Sequence, residues 1–339
     1  MTTTRHRRDG ARDGAGGGLL DLPRMATGFD RFVHALRARP PRRPAALPGE
    51  PCWRGEFVAR DVTGPRVDLR EFGYAAHELN RGYGTVDGTA LVGPVRILTP
   101  EGLECLTEVC DRLESSAGSA RFITTRRVRG ADGMSAFISN MIRDRGFLLA
   151  CSRLAGVPLI PHPLRIPTVQ INYFEADGRS DIVKWHHDGM DYVLTLQLNS
   201  YADYDGGRFS YFQGRVDEFT GARKGDPRIK EAPCGERGAA LFLHGSRIFH
   251  SVSPVMRGRR VTVVVSFFCP YFARQDSNTF WHLAADDGIP ATVPSWLRLK
   301  WPVRDAAMDF ALRAGSPVIT WEDLRDRGGQ PRPRGACRR

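Results

Sequence analysis

Two histidines and one aspartate in this chain have residue types and spacing that suit a metal site. His186 and Asp188 are two residues apart in the segment Lys184–Gly189. Because side chains i and i+2 of an extended strand point to the same face, these two could reach one point, whereas His187 would point away. A histidine from a distant strand would complete a set of two imidazoles and one carboxylate. That set suits ferrous iron, with coordination positions left open for oxygen and a co-substrate.

The third ligand and an anion site are predicted in a later segment. His250 lies on a late strand that can fold back onto the strand of His186. Arg260 follows at the start of the next predicted strand, and its guanidinium can bind a carboxylate through two parallel hydrogen bonds. Thr262 shares the face of Arg260 and could donate a further hydrogen bond. Apart from His187, the remaining histidines are not predicted to be ligands. His162 lies between two prolines and is expected in a turn, and His244 lies near a strand end and is expected either to support a ligand or to be at the surface. The others lack such partners in the sequence: His6, His34, His77 and His282.

The elements that must position these residues change character near residue 164. Before it, the apolar spacing is helical: Thr99-Pro100-Glu101 opens one helix, and a second is predicted over residues 132–154. After it, short alternating segments follow one another with turns and without intervening helices, as is typical of an antiparallel double sheet. These predicted strands span residues 166–174, 184–188, 192–199, 208–212, 239–243, 248–252 and 260–268.

We therefore predict an α+β fold: a jelly roll (a double-stranded β-helix, cupin-like) with flanking N-terminal and C-terminal helices. Residues 1–50 are expected to be a flexible basic segment and 51–325 a single catalytic domain. Within that domain, the jelly-roll core spans about 164–272, with helical support at 100–155 and 273–325. A long polar loop is expected at 213–238, and a flexible tail at 326–339.

Composition excludes several classes of function. The net charge is +11, but residues 1–50 contribute +5 and residues 322–339 contribute +3, so the basic charge is concentrated away from the predicted site and nucleic acid is not an expected partner. The seven cysteines are scattered without a C-x-x-C pair, which argues against a disulfide framework or a structural zinc site. No apolar run is long enough to span a membrane, and we expect a cytoplasmic protein.

The stretch from Tyr173 to Phe268 resembles the iron(II)/2-oxoglutarate-dependent dioxygenases, in their prolyl-4-hydroxylase-like branch. The resemblance covers about 100 of the 339 residues. Its most specific part is the block H-x-x-x-P-V-x-x-G-x-R from His250 to Arg260, which follows the H-x-D pair of His186 and Asp188. The other matching positions are Tyr173, Asn199, Asp205, Gly206 and Gly207.

The resemblance implies cofactors and roles for these positions. His186, Asp188 and His250 would hold Fe(II), and 2-oxoglutarate would bind the metal with its far carboxylate on Arg260. Tyr173 would donate a hydrogen bond to this co-substrate, O2 would be the second co-substrate, and ascorbate is a candidate stimulant. Some relatives hold the far carboxylate with a tyrosine three residues before the asparagine. This chain has Leu196 there, so Thr262 is expected to replace that contact.

The function implied is hydroxylation of an unactivated C–H bond of a small molecule, either an amino acid or a natural-product intermediate, with release of succinate and CO2. Retention of Asp188 favours hydroxylation over halogenation, because related halogenases replace this carboxylate with a small residue. A peptidyl or protein hydroxylase is the main alternative, followed by a nucleic-acid demethylase. A non-catalytic jelly-roll binding module is disfavoured because the metal set and Arg260 are both present. The sequence does not reveal the substrate, the oligomeric state, or whether desaturation or cyclisation replaces hydroxylation.

Overall fold

A computed structural model describes residues 45–81, 86–119, 126–176, 183–221, 225–300 and 316–325 of the chain. Most of the predicted basic segment 1–50 lies outside these described residues, as do the tail 326–339 and part of the predicted helical support at 273–325. The strands are β1 Arg66–Asp68, β2 Thr89–Arg96, β3 Gly118–Ser119, β4 Arg126–Arg129, β5 Ile160–Pro161, β6 Val169–Glu175, β7 Val183–His186, β8 Tyr192–Gln197, β9 Asp205–Gly206, β10 Phe209–Phe212, β11 Ile229–Glu231, β12 Ala239–His244, β13 His250–Val252, β14 Val255–Arg257 and β15 Arg259–Phe268. The helices are α1 Ala76–Leu79, α2 Pro100–Leu113, α3 Ala136–Arg143, α4 Arg145–Ala155, α5 Arg165–Thr168, α6 Phe280–Asp287, α7 Ile289–Lys300 and α8 Trp321–Arg325.

Eight of the strands form a jelly roll from two antiparallel sheets. The larger sheet has the order β12-β8-β15-β6 at its centre, and the smaller sheet has the order β11-β10-β13-β7. The chain crosses between the sheets from β6 to β7 to β8, and again from β12 to β13 and on to β15. The predicted α+β fold with a jelly-roll core and flanking helices is thus confirmed.

Alternation along the strands creates two apolar regions. Val261 and Val263 of β15 pack into a cluster with the helices on the outer side of the larger sheet. Phe268 of the same strand belongs instead to a cluster with Phe174 of β6 and Phe209 of β10. Because this second cluster joins residues of both sheets, it lies between them. We call the region that it fills the inter-sheet space.

The helical layer begins as the sequence predicts. The hydroxyl of Thr99 accepts a hydrogen bond from the Gly102 amide at 3.2 Å and caps α2, with Pro100 at the first helical position. The predicted single helix over 132–154 is wrong, because Asp144 is extended and separates α3 from α4. Its carboxylate accepts a hydrogen bond from the Phe147 amide at 3.0 Å, so Asp144 caps a new helix.

Strand β2 has no counterpart among the predicted strands. Gly93 and Pro94 interrupt its apolar run, and proline cannot donate a ladder hydrogen bond. The structure accommodates them with a register shift between Ala240 and Phe242 of the neighbouring β12. Likewise, the predicted loop at 213–238 contains β11, which pairs with β10 although its sequence Ile-Lys-Glu lacks an alternating pattern. Among the described helices, none is long and apolar enough to cross a membrane.

Candidate metal centre

Two adjacent strands of the smaller sheet bring the predicted ligands together. His186 ends β7, His250 begins β13, and the two are cross-strand partners whose ring centroids are 4.4 Å apart. The Oδ1 atom of Asp188 lies 3.4 Å from Nε2 of His186 and 3.7 Å from Nε2 of His250. One ligand atom from each residue therefore falls within 4.8 Å of the others, which is close enough for a single ion.

Backbone carbonyls fix the protonation of both imidazoles. Nδ1 of His186 is 2.8 Å from the Lys184 carbonyl, and Nδ1 of His250 is 3.0 Å from the Ile248 carbonyl. Because a carbonyl can only accept, each Nδ1 carries a hydrogen and each Nε2 keeps its lone pair. Metal-binding histidines are oriented in this way, so the donor set fits a divalent cation.

Burial and charge act differently on the two imidazoles. Burial, with a smaller contribution from the neighbouring His186, lowers the pKa of His250 to about 4, against the opposing charge of Asp188. Burial also lowers the pKa of His186, but the Asp188 carboxylate favours the protonated ring, by accepting a hydrogen bond from it and by its charge, and leaves the pKa raised. The adjacent His187 packs its ring against Phe249, at 5.6 Å between ring centroids.

A glycine that the sequence analysis did not single out holds the carboxylate in place. The Asp188 amide donates to the Gly245 carbonyl at 2.9 Å, and the Gly245 amide donates to the Asp191 carbonyl at 2.9 Å. A Cβ on Gly245 would lie 2.7 Å from the Cβ of Asp188, a separation that real side chains do not adopt. Any larger residue at 245 would therefore displace the carboxylate.

Arg260 is buried in the inter-sheet space without a balancing carboxylate. Its side chain is only 4% exposed and lies over the Phe174 ring, with 5.5 Å from Cζ to the ring centroid. Its Nε has no hydrogen-bond partner, and no carboxylate of the described residues forms an ion pair with it. A buried guanidinium without an anion is costly, so this position fits an anionic ligand.

Polar side chains surround Arg260 on the inner face of the larger sheet. Thr262 is 1% exposed and is the cross-strand partner of both Asn172 and Gln197. The amide of Gln197 donates a hydrogen bond to the hydroxyl of Tyr204, which is fully buried. Burial raises the pKa of Tyr204, and the charge of Arg260 opposes that shift. Tyr204 and Gln197 were not predicted, because neither lies at a position of the H-x-D or H-x-x-x-P-V-x-x-G-x-R pattern.

The Asp-Gly-Gly turn packs closely against the side chain of Arg260. Gly207 has a φ of +59°, and a Cβ there would lie 2.8 Å from Cδ of Arg260. The Gly207 amide donates to the Pro254 carbonyl at 2.9 Å. Glycine is therefore required at this position by both its backbone conformation and its close contact.

The predicted role of Tyr173 is wrong. Its hydroxyl donates to the Cys110 carbonyl of α2, and its ring belongs to the cluster between the larger sheet and the helices. The adjacent Phe174 lies in the inter-sheet space instead. Because successive strand residues face opposite sides, Tyr173 points away from the side on which Arg260 lies.

Comparisons with known proteins give fold similarities only. No family model matches the chain, and no curated protein matches it. Among solved structures, the non-haem α-ketoglutarate-dependent epimerase SnoN of nogalamycin biosynthesis is 15% identical, with a TM-score of 0.42 over 53% of this chain and 79% of that one. A prolyl-4-hydroxylase from Pseudomonas putida is 15% identical, with a TM-score of 0.38 over 51% of this chain and 89% of that one. The α-ketoglutarate-dependent carbocyclase SnoK is 14% identical, with a TM-score of 0.40 over 65% of this chain and 87% of that one.

In structure, the chain is similar to iron- and 2-oxoglutarate-dependent oxygenases. (α-Ketoglutarate is another name for 2-oxoglutarate.) The chemistry of this chain depends on its own side chains, described above.

Proposed function

We propose that this chain is an iron(II)- and 2-oxoglutarate-dependent dioxygenase that hydroxylates a small molecule. One observation carries the proposal: a complete His-Asp-His donor set and an uncompensated buried arginine face the same inter-sheet space. His250 stacks on Phe209, with ring centroids 5.3 Å apart, and Arg260 lies over Phe174. Both phenylalanines belong to the cluster that fills this space.

Each residue of the site has a distinct task. His186, Asp188 and His250 would hold Fe(II), and the carbonyl contacts of both Nδ1 atoms fix the ring orientations. Arg260 would bind the far carboxylate of 2-oxoglutarate, with Thr262 as a further hydrogen-bond donor. When bound, iron and 2-oxoglutarate supply oxidation of a C–H bond by O2, with succinate and CO2 as products.

We add Tyr204 to the co-substrate site. Its hydroxyl already accepts a hydrogen bond from Gln197, so its own hydrogen is free to be donated to a carboxylate beside Arg260. In this assignment Tyr204 supplies the phenol that some relatives place at the position of Leu196. Leu196 itself packs in the cluster on the helical side of the sheet.

A covered face beside the metal centre supports a small substrate. Tyr211 is the cross-strand partner of His250, so the two share a face, and Phe72 stacks on Tyr211 with ring centroids 6.0 Å apart. The segment of Phe72 is held down by Glu78, which accepts two hydrogen bonds from Arg215 at 2.9 and 2.8 Å. An open groove for a polypeptide would require the contact between Glu78 and Arg215 to separate. Binding of a small substrate would not require this.

The requirement for 2-oxoglutarate tests this proposal. Replacing Arg260 with glutamine should raise the 2-oxoglutarate concentration that gives half-maximal succinate release by roughly 10-fold or more, because a charge-assisted hydrogen-bonded pair is lost. It should also reduce the preference for 2-oxoglutarate over pyruvate, which lacks the far carboxylate. The matched control is Arg259→Gln, since Arg259 pairs instead with Asp111 and Glu114 on α2 and in the turn that follows it. An unchanged 2-oxoglutarate requirement in Arg260→Gln would contradict the assigned role.

A further inference from the structure

The loop that carries the metal-binding carboxylate is held by two distant parts of the chain. It connects β7 to β8 and consists of residues 187–191. One of the two parts is the turn Gly245–Arg247 between β12 and β13, and the other is the segment Ser277–Asn278 that precedes α6. Their contacts meet at Asp191, which neither the H-x-D pattern nor the ligand set includes.

Asp191 uses its carboxylate to hold both parts. It is 7% exposed, and Oδ1 accepts a hydrogen bond from the Ser246 hydroxyl at 2.5 Å and another from the Ser277 hydroxyl at 2.6 Å. Oδ2 accepts a hydrogen bond from the Ser277 amide at 3.3 Å. Three donors from two remote segments therefore converge on one side chain that lies three residues after the predicted ligand Asp188.

The contact with Ser246 continues to Asp188 through Gly245. Gly245 donates its amide to the Asp191 carbonyl and accepts from the Asp188 amide, both at 2.9 Å. Because there is no room for a Cβ between Gly245 and Asp188, a shift of this backbone would change the position of the carboxylate directly. The Ser246–Asp191 bond thus fixes the surface against which Asp188 lies.

A buried hydrogen-bond network also holds the turn Gly245–Arg247 in place. Nδ1 of His244 is 3.3 Å from the Ser246 hydroxyl, and its Nε2 is 3.2 Å from Oδ2 of Asp87. The Tyr192 hydroxyl also donates to Asp87, at 2.7 Å. His244 and Asp87 are both almost completely buried, so they connect the turn to the interior rather than to solvent.

The segment Ser277–Asn278 makes a further contact with the loop, at Gly189. The side-chain amide of Asn278 donates a hydrogen bond at 2.8 Å to the carbonyl of Gly189, the residue directly after Asp188. Asn278 is 4% exposed, so little water competes for this bond. The segment Ser277–Asn278 therefore contacts the loop at residue 189 through Asn278 and at residue 191 through Ser277.

We propose that Asp191 is a positioning residue that sets the geometry of Asp188 toward the metal by joining the Ser246 turn to the Ser277–Asn278 segment. This proposal rests on the proposed function, because it assumes a metal at His186, Asp188 and His250. Removal of groups that orient metal ligands commonly costs about 10- to 100-fold in metal affinity. We expect a loss of that size from Asp191→Ala and a smaller loss from Asp191→Asn, whose amide oxygen can still accept one hydroxyl.

The test measures the Fe(II) dissociation constant and the Fe(II)–2-oxoglutarate charge-transfer band of the full chain under anaerobic conditions. Ser246→Ala and Ser277→Ala each remove one bond to Asp191, so each should weaken Fe(II) binding by less than Asp191→Ala, and the double variant should approach it. The band should shift or weaken in the same order. The matched control is Ser152→Ala, which removes a buried hydroxyl that donates to the Leu148 carbonyl at 2.7 Å in α4.

The outcomes separate this proposal from the proposed function. A wild-type protein without metal binding overturns the proposed function and this proposal together. A wild-type band with unchanged Fe(II) affinity in Asp191→Ala, or in the double serine variant if Asp191→Ala does not fold, overturns the positioning role alone. An equal loss of Fe(II) affinity in Ser152→Ala also overturns it, because the effect would then reflect general destabilisation.

Discussion

Close contact at Gly245 makes the candidate metal centre sensitive to a single methyl group. The glycine is buried between the backbone of the loop at 187–191 and the Asp188 side chain, and a Cβ would meet both. Its φ is not in the left-handed region, so the requirement comes from contact alone. Small structural shifts at metal ligands have large effects on binding, since coordination distances tolerate little variation.

Replacing Gly245 with alanine should weaken Fe(II) binding by roughly 10-fold or more, because the added methyl group displaces the carboxylate. Anaerobic titration with Fe(II) would measure this. Gly118→Ala is the matched control, since a Cβ there has no atom within 4 Å and the residue is far from the centre in the sequence. Wild-type affinity in Gly245→Ala would show that the carboxylate can move without cost.

At the residue scale, the sequence reveals the i, i+2 pair of ligands, although Asp188 lies in the loop after β7, but it does not reveal the contacts behind them. The i, i+2 spacing selects His186 over His187, and the structure places His186 beside Asp188 and His250. Alternation also shows that Tyr173 and Phe174 face opposite sides, but it does not say which side faces the inter-sheet space, and the assignment of Tyr173 is wrong for that reason. Asp191 and Tyr204 carry no pattern, because their partners lie in remote or loop segments.

The segment that follows α1 is fixed to the jelly roll by one buried carboxylate. Asp87 is fully buried and interacts with Arg81 at 3.1 Å, as well as with Tyr192 of β8 and His244 of β12. Burial would raise the pKa of Asp87, but the charge and hydrogen bond of His244, together with Arg81 and Tyr192, hold it well below its usual range. The segment that follows α1 is thus attached to the jelly roll through the ionised carboxylate of Asp87.

The Asp87→Asn variant should lose about 3 kcal/mol of unfolding free energy near neutral pH, because the buried Arg81 loses its anion. Since the pKa of Asp87 is lowered on folding, its contribution is present above the unfolded value of about 4 and falls as the pH drops below it. The difference between wild type and Asp87→Asn should therefore shrink from pH 6 to pH 3. Urea unfolding at several pH values would measure it, with the exposed Asp61→Asn as control. A difference that does not change with pH would contradict this explanation.

At the element scale, regular residue spacing predicts helices and strands, whereas elements whose residues depart from that spacing are not predicted. The cap at Thr99 and the alternating core strands are readable because local spacing follows the structure. The end of α3 at Asp144 is not readable from apolar periodicity, since the apolar spacing continues across it while the carboxylate caps the next helix. Strand β2 is hidden in the same way by Gly93 and Pro94, whose cost is offset by pairing on both edges.

At the scale of the described molecule, two sheets enclose the candidate metal centre and Arg260 in one space. The centre belongs to the smaller sheet through β7 and β13, and Arg260 belongs to the larger sheet through β15. A series of alternating strands predicts a double sheet, but the pairing of β15 with β6 and β8 joins residues 65 to 96 positions apart. Such order depends on the complete core, so the sequence predicts the class of fold more readily than its strand order.

The central claim is that His186, Asp188 and His250 bind iron together with 2-oxoglutarate, and anaerobic absorption spectroscopy tests it most directly. Fe(II) and 2-oxoglutarate should give a weak metal-to-ligand charge-transfer band with the wild-type chain. The band should be lost in His250→Ala and in Asp188→Ala, and retained in His187→Ala, whose ring packs against Phe249. Absence of the band in the wild type, or its persistence unchanged in His250→Ala, would contradict the account.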